Sequence, residues 1–574
     1  MSALINGLDN YTPKQLGENG HPEYTWSSNT REKIIQLNFQ LTRTSKTQLT
    51  NLRCQFDTLI VNIKGEYKTE KISLSEYVEL VTVLYKLIAN TRDIVAGKGE
   101  YSLAYMLLLT WHTHYPVLAR RMLDFFVEMD DGAEHPYGSW KDIKYFAELC
   151  KNEDTKHPLI LYCVHLINHR IRKDVALSDT KNSLVAKWVP REKSKFGWLF
   201  SMLALNYFKD EFMPHHTTDT HPNYNKAFLK CKTHYRKLVS SLNKTIDTVQ
   251  ILQCANEWSS IVPCRQTSIT MKRQSKAFLN VTKKGDQRHN TADREECAAN
   301  FKNYISQAVN GEVSIKGKRV GLNEFVKEAI ELNYSNNQSL KDLLDAQWLD
   351  NASQNKALDK FIPMVDVSGS MSGDPMHSAI ALGIRVSEKS IIGNRIMTFS
   401  ETPTWVKLDG ITSFVDKVNI IQKAPWGMNT NFMMALTLIL DVIVEKKMSP
   451  EDVKDMTLAI FSDMQIDQAD HNGKSDTMFE SIKNMYAEAG RRVHGEPYKP
   501  PHILFWNLRS TSGFPVISSQ TNTSMMSGFS PVLLNQFCEN GSCSFSTPWD
   551  MFISTLSHER YTHLNEIVSG SSDI

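Results

Sequence analysis

The chain has 574 residues, of which 41% are hydrophobic and 22% are charged, as in ordinary globular proteins. These values exclude a largely disordered or collagen-like chain, and the length predicts two or three domains. The net charge is only +2, but residues 151–300 carry 25 lysines and arginines against 14 aspartates and glutamates, a net of +11. Residues 351–574 carry a net of −6. The basic segment favours nucleic-acid binding, although a solvated helical surface explains the excess equally well.

The cellular compartment is indicated by three features that the sequence lacks: paired cysteines, a secretory signal and a long apolar run. The nine cysteines are scattered without a C-x-x-C pair, which is typical of reduced thiols in an intracellular protein. The first 20 residues show no basic segment followed by an apolar one, so we expect no secretory signal. No apolar run reaches about 18 residues, so we expect no membrane contact either. The cytoplasm is the expected location, or the virion if the protein is viral.

The N-terminal half reads as helical. Residues 1–30 are polar and are expected to form a lead-in. Across 31–354 apolar residues recur at three- and four-residue spacing, as in SLSEYVELVTVLYKLIANTRDI, where Ser73 or Ser75 is the expected N-cap. Helices joined by short polar turns favour an all-α helical-repeat region of the HEAT type.

The pattern of apolar residues along the sequence changes at about residue 355. Short apolar runs such as FIPMV, RIMTFS, LAIFSD and PHILFWNL alternate with helical segments such as NFMMALTLILDVIVEKK. Strands that alternate with helices predict a Rossmann-like, doubly wound α/β domain with a mainly parallel sheet, over residues 355–574.

The chemistry of this domain is expected at the ends of its strands. Asp366 ends the strand FIPMV, and Ser368 and Ser370 follow on the connecting turn. Thr430 precedes a helix and Asp463 ends the strand LAIFSD, so both fall at the same edge of the sheet. Carboxylates and hydroxyls are hard oxygen ligands, which suit Mg²⁺ first and Mn²⁺ or Ca²⁺ as alternatives. A serine-rich turn that only caps a helix, and a retained site that binds no ligand, are the competing interpretations.

This D-x-S-x-S pattern with a downstream Thr and Asp resembles the metal-ion-dependent adhesion site of von Willebrand factor A (vWA) domains. The resemblance implies that Ser368, Ser370 and Thr430 ligate the metal, and that Asp366 and Asp463 act mostly through water. It also implies a coordination place for an acidic side chain of a protein partner. No nucleophile–base pair accompanies the motif, so we expect a binding protein rather than an enzyme.

Over nearly its full length the chain resembles the DUF2828 family of vWA-containing proteins, found in eukaryotes and giant viruses. The stretches TRDIVAGKGEYSLAY, YGSWKDIKYF, KWVPREKSKFG and MVDVSGSM carry the resemblance. A helical region followed by a vWA domain is also similar in architecture to Ro ribonucleoproteins, whose TROVE region is a HEAT-like ring that holds RNA.

The Ro likeness implies RNA binding by the basic segment, with Trp188, Phe196, Trp198 and Tyr235 as stacking candidates. The function expected is therefore a Ro-like RNA-binding scaffold with a metal-dependent ligand site, and the alternative is a protein–protein adaptor that uses the metal site without RNA. The candidate RNA contacts are Arg170, Arg172, Lys173, Lys187, Arg191, Lys193, Lys195, Lys230, Lys232, Arg236, Lys237, Lys272, Arg273, Lys276, Lys283, Lys284 and Arg288.

Overall fold

A computed structural model describes residues 12–129, 134–177, 182–213, 223–335, 337–425, 431–465, 477–537 and 546–574. The N-terminal region is helical and the C-terminal region combines a six-stranded mixed sheet with helices, as predicted. No helix in these ranges is both long and apolar enough to cross a membrane.

The helical region falls into two successive parts. Sequence signals set local boundaries: Ser73 caps its helix through a capping box with Glu76, as expected for one of the two candidate serines. The first part comprises α1 (Thr30–Gln40), α2 (Lys46–Lys68), α3 (Leu74–Arg92), α4 (Tyr101–His114), α5 (Pro116–Phe125), α6 (Trp140–Glu153), α7 (Pro158–Ala176), α8 (Val185–Trp188), α9 (Gly197–Phe212) and α10 (Tyr224–Thr245). The second part comprises α11 (Val249–Ala255), α12 (Ser268–Phe278), α13 (Ala292–Val309), α14 (Leu322–Asn333) and α15 (Gln338–Ala352).

The described part of the lead-in begins at residue 12. It forms a short hairpin of β1 (Lys14–Leu16) and β2 (Pro22–Tyr24). Tyr24 and Phe514 exchange backbone hydrogen bonds of 2.9 and 3.1 Å, so the hairpin is anchored on the C-terminal domain rather than hanging loose.

The sheet of the C-terminal domain has the strand order β5-β4-β3-β6-β7-β8. Only the edge strand β5 is antiparallel. The strands are β3 (Phe361–Asp366), β4 (Arg395–Phe399), β5 (Thr404–Lys407), β6 (Thr457–Ser462), β7 (His502–Asn507) and β8 (Thr523–Ser527). The helices are α16 (Asp374–Lys389), α17 (Phe414–Gln422), α18 (Phe432–Glu445), α19 (Pro450–Lys454), α20 (Met478–His494), α21 (Pro548–Leu556) and α22 (Leu564–Ser569).

Two apolar cores lie on opposite faces of this sheet, because successive strand side chains point to opposite sides. Ile362 and Met364 join the core that contains α18, α20 and the first helical part. Phe361 and Val365 join the core that contains α16, α17 and the second helical part. Helices therefore cover both faces, as a doubly wound sheet requires.

The two helical parts also contact different sides of the α/β domain. The first part packs at the β8 edge, where the Asn507 Nδ2 donates to the Phe39 carbonyl at 2.9 Å and the Lys98 Nζ donates to the Ser527 Oγ at 2.7 Å. In the second part, α14 packs across α16 and α17. The α/β domain is thus held between the two parts, and the carboxyl ends of its strands open where all three meet.

Candidate metal site and the adjoining basic face

The candidate site lies where the chain order of the sheet reverses. Counted from β3, the spatial order of the six strands is 3-2-1-4-5-6, so β3 and β6 are neighbours whose connections leave in opposite directions. In doubly wound sheets the ligand crevice forms at this switch point, outside the strand carboxyl ends. Asp366 is the last residue of β3 and Asp463 directly follows β6.

Asp366 is fully buried and is held in place by its neighbours. Its Oδ1 accepts the Ser368 backbone N–H at 2.9 Å, and its Oδ2 accepts the Ser462 hydroxyl at 2.5 Å. The Ser368 and Ser370 Oγ atoms lie 3.1 Å apart, so the turn after β3 brings both hydroxyls to one point. Four of the five predicted ligands are described, and Asp366, Ser368 and Ser370 meet as the motif predicts.

Asp463 directly follows β6, and its carboxylate contacts the guanidinium of Arg509. The Asp463 Oδ1 accepts the Gln465 backbone N–H at 3.1 Å, and its Oδ2 accepts the Arg509 Nη1 at 3.1 Å. The Arg509 side chain is 38% exposed. Sequence reasoning missed Arg509 and Ser462, although both stand at the ends of strands that it had identified.

The electrostatics of the pair fit a cation. Burial first, and then the negative charge of Asp463, raises the pKa of Asp366 to about 7. The negative charge of two buried carboxylates is poorly compensated by one half-exposed guanidinium. A divalent cation with oxygen ligands would offset both the burial of the charges and the repulsion between them. Nowhere in the described ranges do three or more His, Cys, Asp or Glu side chains form a metal-binding group, so a cation at this edge would need the serine hydroxyls as well as the two carboxylates.

Thr430, the fifth predicted ligand, lies outside the described residues. The next residue, Asn431, donates its backbone N–H to the Ser400 carbonyl at 2.9 Å, just beyond the end of β4. The chain therefore reaches the same edge of the sheet directly after Thr430.

Residues of the first helical part border the space outside the carboxyl ends of the strands. A crevice of about 400 Å³ is bordered by Ser370 and Arg509 on one side and by Arg43 and Gln48 of the first helical part on the other. The Arg43 guanidinium lies over the Phe529 ring, 4.6 Å from its centre. Arg43 and Arg509 both line this crevice, so it favours a negatively charged group.

The predicted RNA contacts separate into paired and unpaired sets. Several already pair with carboxylates, which lowers their value for binding phosphate: these are Arg170 (with Glu128 and Asp174), Lys195 (with Glu148), Lys232 and Arg236 (with Glu192) and Lys272 (with Glu328). Arg172 lies over the Tyr207 ring at 4.7 Å. The others are spread over α7, α8, α10, α12 and adjoining loops, namely Lys173, Lys187, Arg191, Lys193, Lys230, Lys237, Arg273, Lys276, Lys283, Lys284 and Arg288.

Two of these residues adjoin two lysines of α6 that lie outside segment 151–300: Arg273 is near Lys141, and Lys187 precedes the tryptophan that Lys144 contacts. Burial, followed by repulsion from Arg273, lowers the pKa of Lys141, and burial with repulsion from Lys141 lowers that of Lys144. The Lys144 Nζ lies 4.9 Å from the centre of the Trp188 ring, next to Lys187. We call Lys141, Lys144, Lys187 and Arg273 the basic face. The charge excess counted over residues 151–300 did not include Lys141 and Lys144, because both lie on α6 before residue 151.

The aromatic candidates are mostly structural. Tyr235 is fully buried and donates its hydroxyl to the Asn168 Oδ1 at 2.9 Å, and Phe196 is buried as well, so neither can stack on a base. Trp198 donates its indole N–H to the Glu148 Oε2 at 2.8 Å. Trp188, half-buried under Lys144, is the candidate that adjoins the basic face.

Comparisons with known proteins divide the chain near the same point as its fold. Residues 151–357 match the family model DUF2828, a domain of unknown function, which confirms the predicted resemblance. Residues 360–561 match a second model, DUF7788, also a domain of unknown function, which the motifs did not predict. The chain is similar to an uncharacterized protein of Acanthamoeba polyphaga mimivirus, with 27% identity over 477 residues that cover 79% of this chain and 76% of the viral protein. The likeness to Ro proteins stays a prediction.

Proposed function

We propose that this chain, whose residues 151–357 match the DUF2828 model, is a non-enzymatic RNA-binding protein that carries a divalent cation in a vWA-type domain. The vWA assignment is supported by the 3-2-1-4-5-6 strand order and by the convergence of Asp366, Ser368, Ser370 and Asp463 at the switch point. The single observation that carries the proposal is that these oxygen donors meet beside a crevice bordered by cationic side chains.

Asp366, Ser368, Ser370 and Asp463 would hold Mg²⁺, with Thr430 as the fifth donor. Only two of the donors are charged, so a bound cation would remain electrophilic and attract an oxygen of the ligand. The chain's own contribution is to hold the donors in register: the backbone N–H of Ser368 and the hydroxyl of Ser462 fix both oxygens of Asp366.

RNA would bind along the basic face. Among the described residues, no carboxylate forms an ion pair with Lys141, Lys144, Lys187 or Arg273, so these cations remain available to phosphates. Backbone phosphates dominate such binding and make it sensitive to salt.

The second candidate function, an adaptor for an acidic protein segment, is favoured by Arg43 and Arg509 at the crevice. Because the first helical part borders the crevice closely, such a partner would have to present a single extended segment rather than a broad surface.

The test is RNA binding measured by fluorescence anisotropy over a salt series, with and without Mg²⁺. The variant K141Q/K144Q/R273Q should weaken binding more than tenfold and reduce the salt slope by about 2, since each lost phosphate contact removes roughly 0.7 from the slope for single strands. The control K68Q/K71Q changes two exposed lysines, the last residue of α2 and one just after it, and should leave binding unchanged. Equal losses in both variants, or no binding at low salt, would contradict the RNA proposal. Mg²⁺-dependent binding of an acidic peptide that is lost in Asp366→Asn would then favour the adaptor.

A further inference from the structure

Two exposed tyrosines lie beside the basic face, and neither is among the stacking candidates that the sequence predicted. Tyr101, the first residue of α4, is 51% exposed, and Tyr145, on α6, is 38% exposed. By contrast Tyr105, one turn further along α4, is buried in the core. A large aromatic side chain that the fold leaves half in water keeps a ring surface that a ligand can cover.

The two exposed rings alternate with the ammonium groups of α6. The Lys141 Nζ lies 5.6 Å from the centre of the Tyr101 ring and 5.3 Å from the centre of the Tyr145 ring. The Lys144 Nζ lies 5.4 Å from the centre of the Tyr145 ring and 4.9 Å from the centre of the Trp188 ring. Each lysine is therefore close to two rings, and Tyr145 is close to both lysines. We call Tyr101, Lys141, Tyr145, Lys144 and Trp188 the aromatic row.

The charge along the aromatic row is positive. Asp142, which follows Lys141 in the sequence, is buried and pairs with Arg92 at 2.7 Å. Glu324 lines a cavity together with Lys141, but Lys144 lies outside that cavity. Burial first, and then the charge of Lys141, lowers the pKa of Lys144, so the repulsion between the two ammonium groups is not relieved within the protein. A negatively charged chain along the row would relieve it.

Alternating rings and cations suit a single-stranded nucleic acid. The bases of a single strand can stack on aromatic rings while the phosphates between them pair with lysines. In a duplex the faces of the bases are covered by their neighbours, so the rings would find no partner. An acidic peptide would use the two lysines and leave the rings without a role. The exposed tyrosines therefore decide between these ligands.

We propose that the aromatic row binds single-stranded RNA by base stacking. This inference rests on the proposed RNA function and specifies its ligand. Bases stack on Tyr101 and Tyr145, and the ammonium groups of Lys141 and Lys144 turn from the rings to the phosphates. Trp188, half-buried beside Lys144, extends the row to α8. Such contacts read the open face of a base rather than its edge, so an unpaired segment is recognised with little regard to its sequence.

The test is fluorescence anisotropy of the full-length protein with an oligouridine of about 10 nucleotides and with the duplex that it forms with oligoadenosine. The single strand should bind at least tenfold more tightly, although charge density alone favours the duplex. The variant Y101L/Y145L removes both rings and keeps every charge. It should weaken single-strand binding at least tenfold without changing the salt slope, because no phosphate contact is lost. Y101F/Y145F keeps the rings and should bind like the wild type.

The matched control is Tyr334→Leu, at an 87% exposed tyrosine that directly follows α14 and should not contribute to binding. Binding that is lost in K141Q/K144Q/R273Q but unchanged in Y101L/Y145L would overturn the stacking inference and leave the RNA proposal standing. A duplex bound as tightly as the single strand would overturn it as well. Absence of binding to either RNA would contradict the proposed function itself.

Discussion

Two of the places where the described residues bury carboxylates differ in how the negative charge is compensated. Asp93, between α3 and the C-terminal segment, accepts Arg560 through Nε at 2.9 Å and Nη2 at 3.0 Å. It also accepts the Tyr561 hydroxyl at 2.9 Å and the backbone N–H groups of Val95 and Ala96. The Arg560 side chain is itself buried, so the charge is balanced within the protein.

Asp366 and Asp463 at the sheet edge lack such balance. They repel each other in a buried site, and only Asp463 contacts a guanidinium, that of Arg509, which is partly in water. Asp93, with its full set of donors, stabilises the interface, whereas the incomplete compensation of Asp366 and Asp463 supports the proposed cation site.

The largest loss of stability is expected when the buried ion pair of Asp93 and Arg560 is broken. Arg560→Ala should lower the free energy of unfolding by about 3–5 kcal/mol, because Asp93 would remain buried without its cation. Chemical denaturation measures the loss, and Lys446→Ala, in an exposed pair with Glu445, should change nothing measurable. A loss below about 1 kcal/mol would show that Asp93 is not held mainly by Arg560.

At the sheet edge, removing a carboxylate should affect metal binding rather than the fold. Asp366→Asn keeps the shape and removes one of two like charges, so stability in EDTA at pH 8 should not fall. Mg²⁺ affinity should fall by about 10- to 100-fold, read from the Mg²⁺-dependent rise in melting temperature. Asp416→Asn, on an exposed face of α17, is the matched control. Equal Mg²⁺ stabilisation in the wild type and Asp366→Asn would contradict the site.

Lys98 is a buried cation with neutral oxygen partners, the Asn38 and Leu41 carbonyls and the Ser527 hydroxyl. Burial lowers its pKa to about 7, opposed by Glu100. Between this value and about 10.4 the unfolded chain binds one more proton than the folded one, so stability rises with pH. Relative to Lys98→Met, the wild type should gain about 1 kcal/mol from pH 7.5 to 8.5, measured by denaturation at each pH. A pH-independent difference would show that the pKa of Lys98 is not lowered.

The smallest effect is expected at Arg509, which competes with a cation for Asp463. Arg509→Met should raise Mg²⁺ affinity by about two- to fivefold, since a partly exposed pair contributes no more than about 1 kcal/mol. The same melting titration measures it, with Arg395→Met, in an exposed pair with Asp409, as control. Weaker Mg²⁺ binding would mean that Arg509 supports the site instead.

The sequence alone placed Asp366, Ser368, Ser370 and Asp463 at one edge of a parallel sheet. It could do so because strand ends are marked by local patterns and because parallel strands align their carboxyl ends. The same local reasoning identified the helices, the Ser73 cap and the change of architecture near residue 355.

Only the tertiary structure decided which charges are available and which are balanced. Arg170 and Arg236 count equally with Arg273 in a charge window, yet the first two pair with acids 42 and 44 residues away. Arg43, Lys141 and Asn323 line one cavity of about 490 Å³, although 98 residues separate the first two and 182 the last two. Side-chain pairing across such distances depends on how helices pack, which periodicity does not encode. Local pattern thus determined the elements and the metal motif, and packing determined the partners.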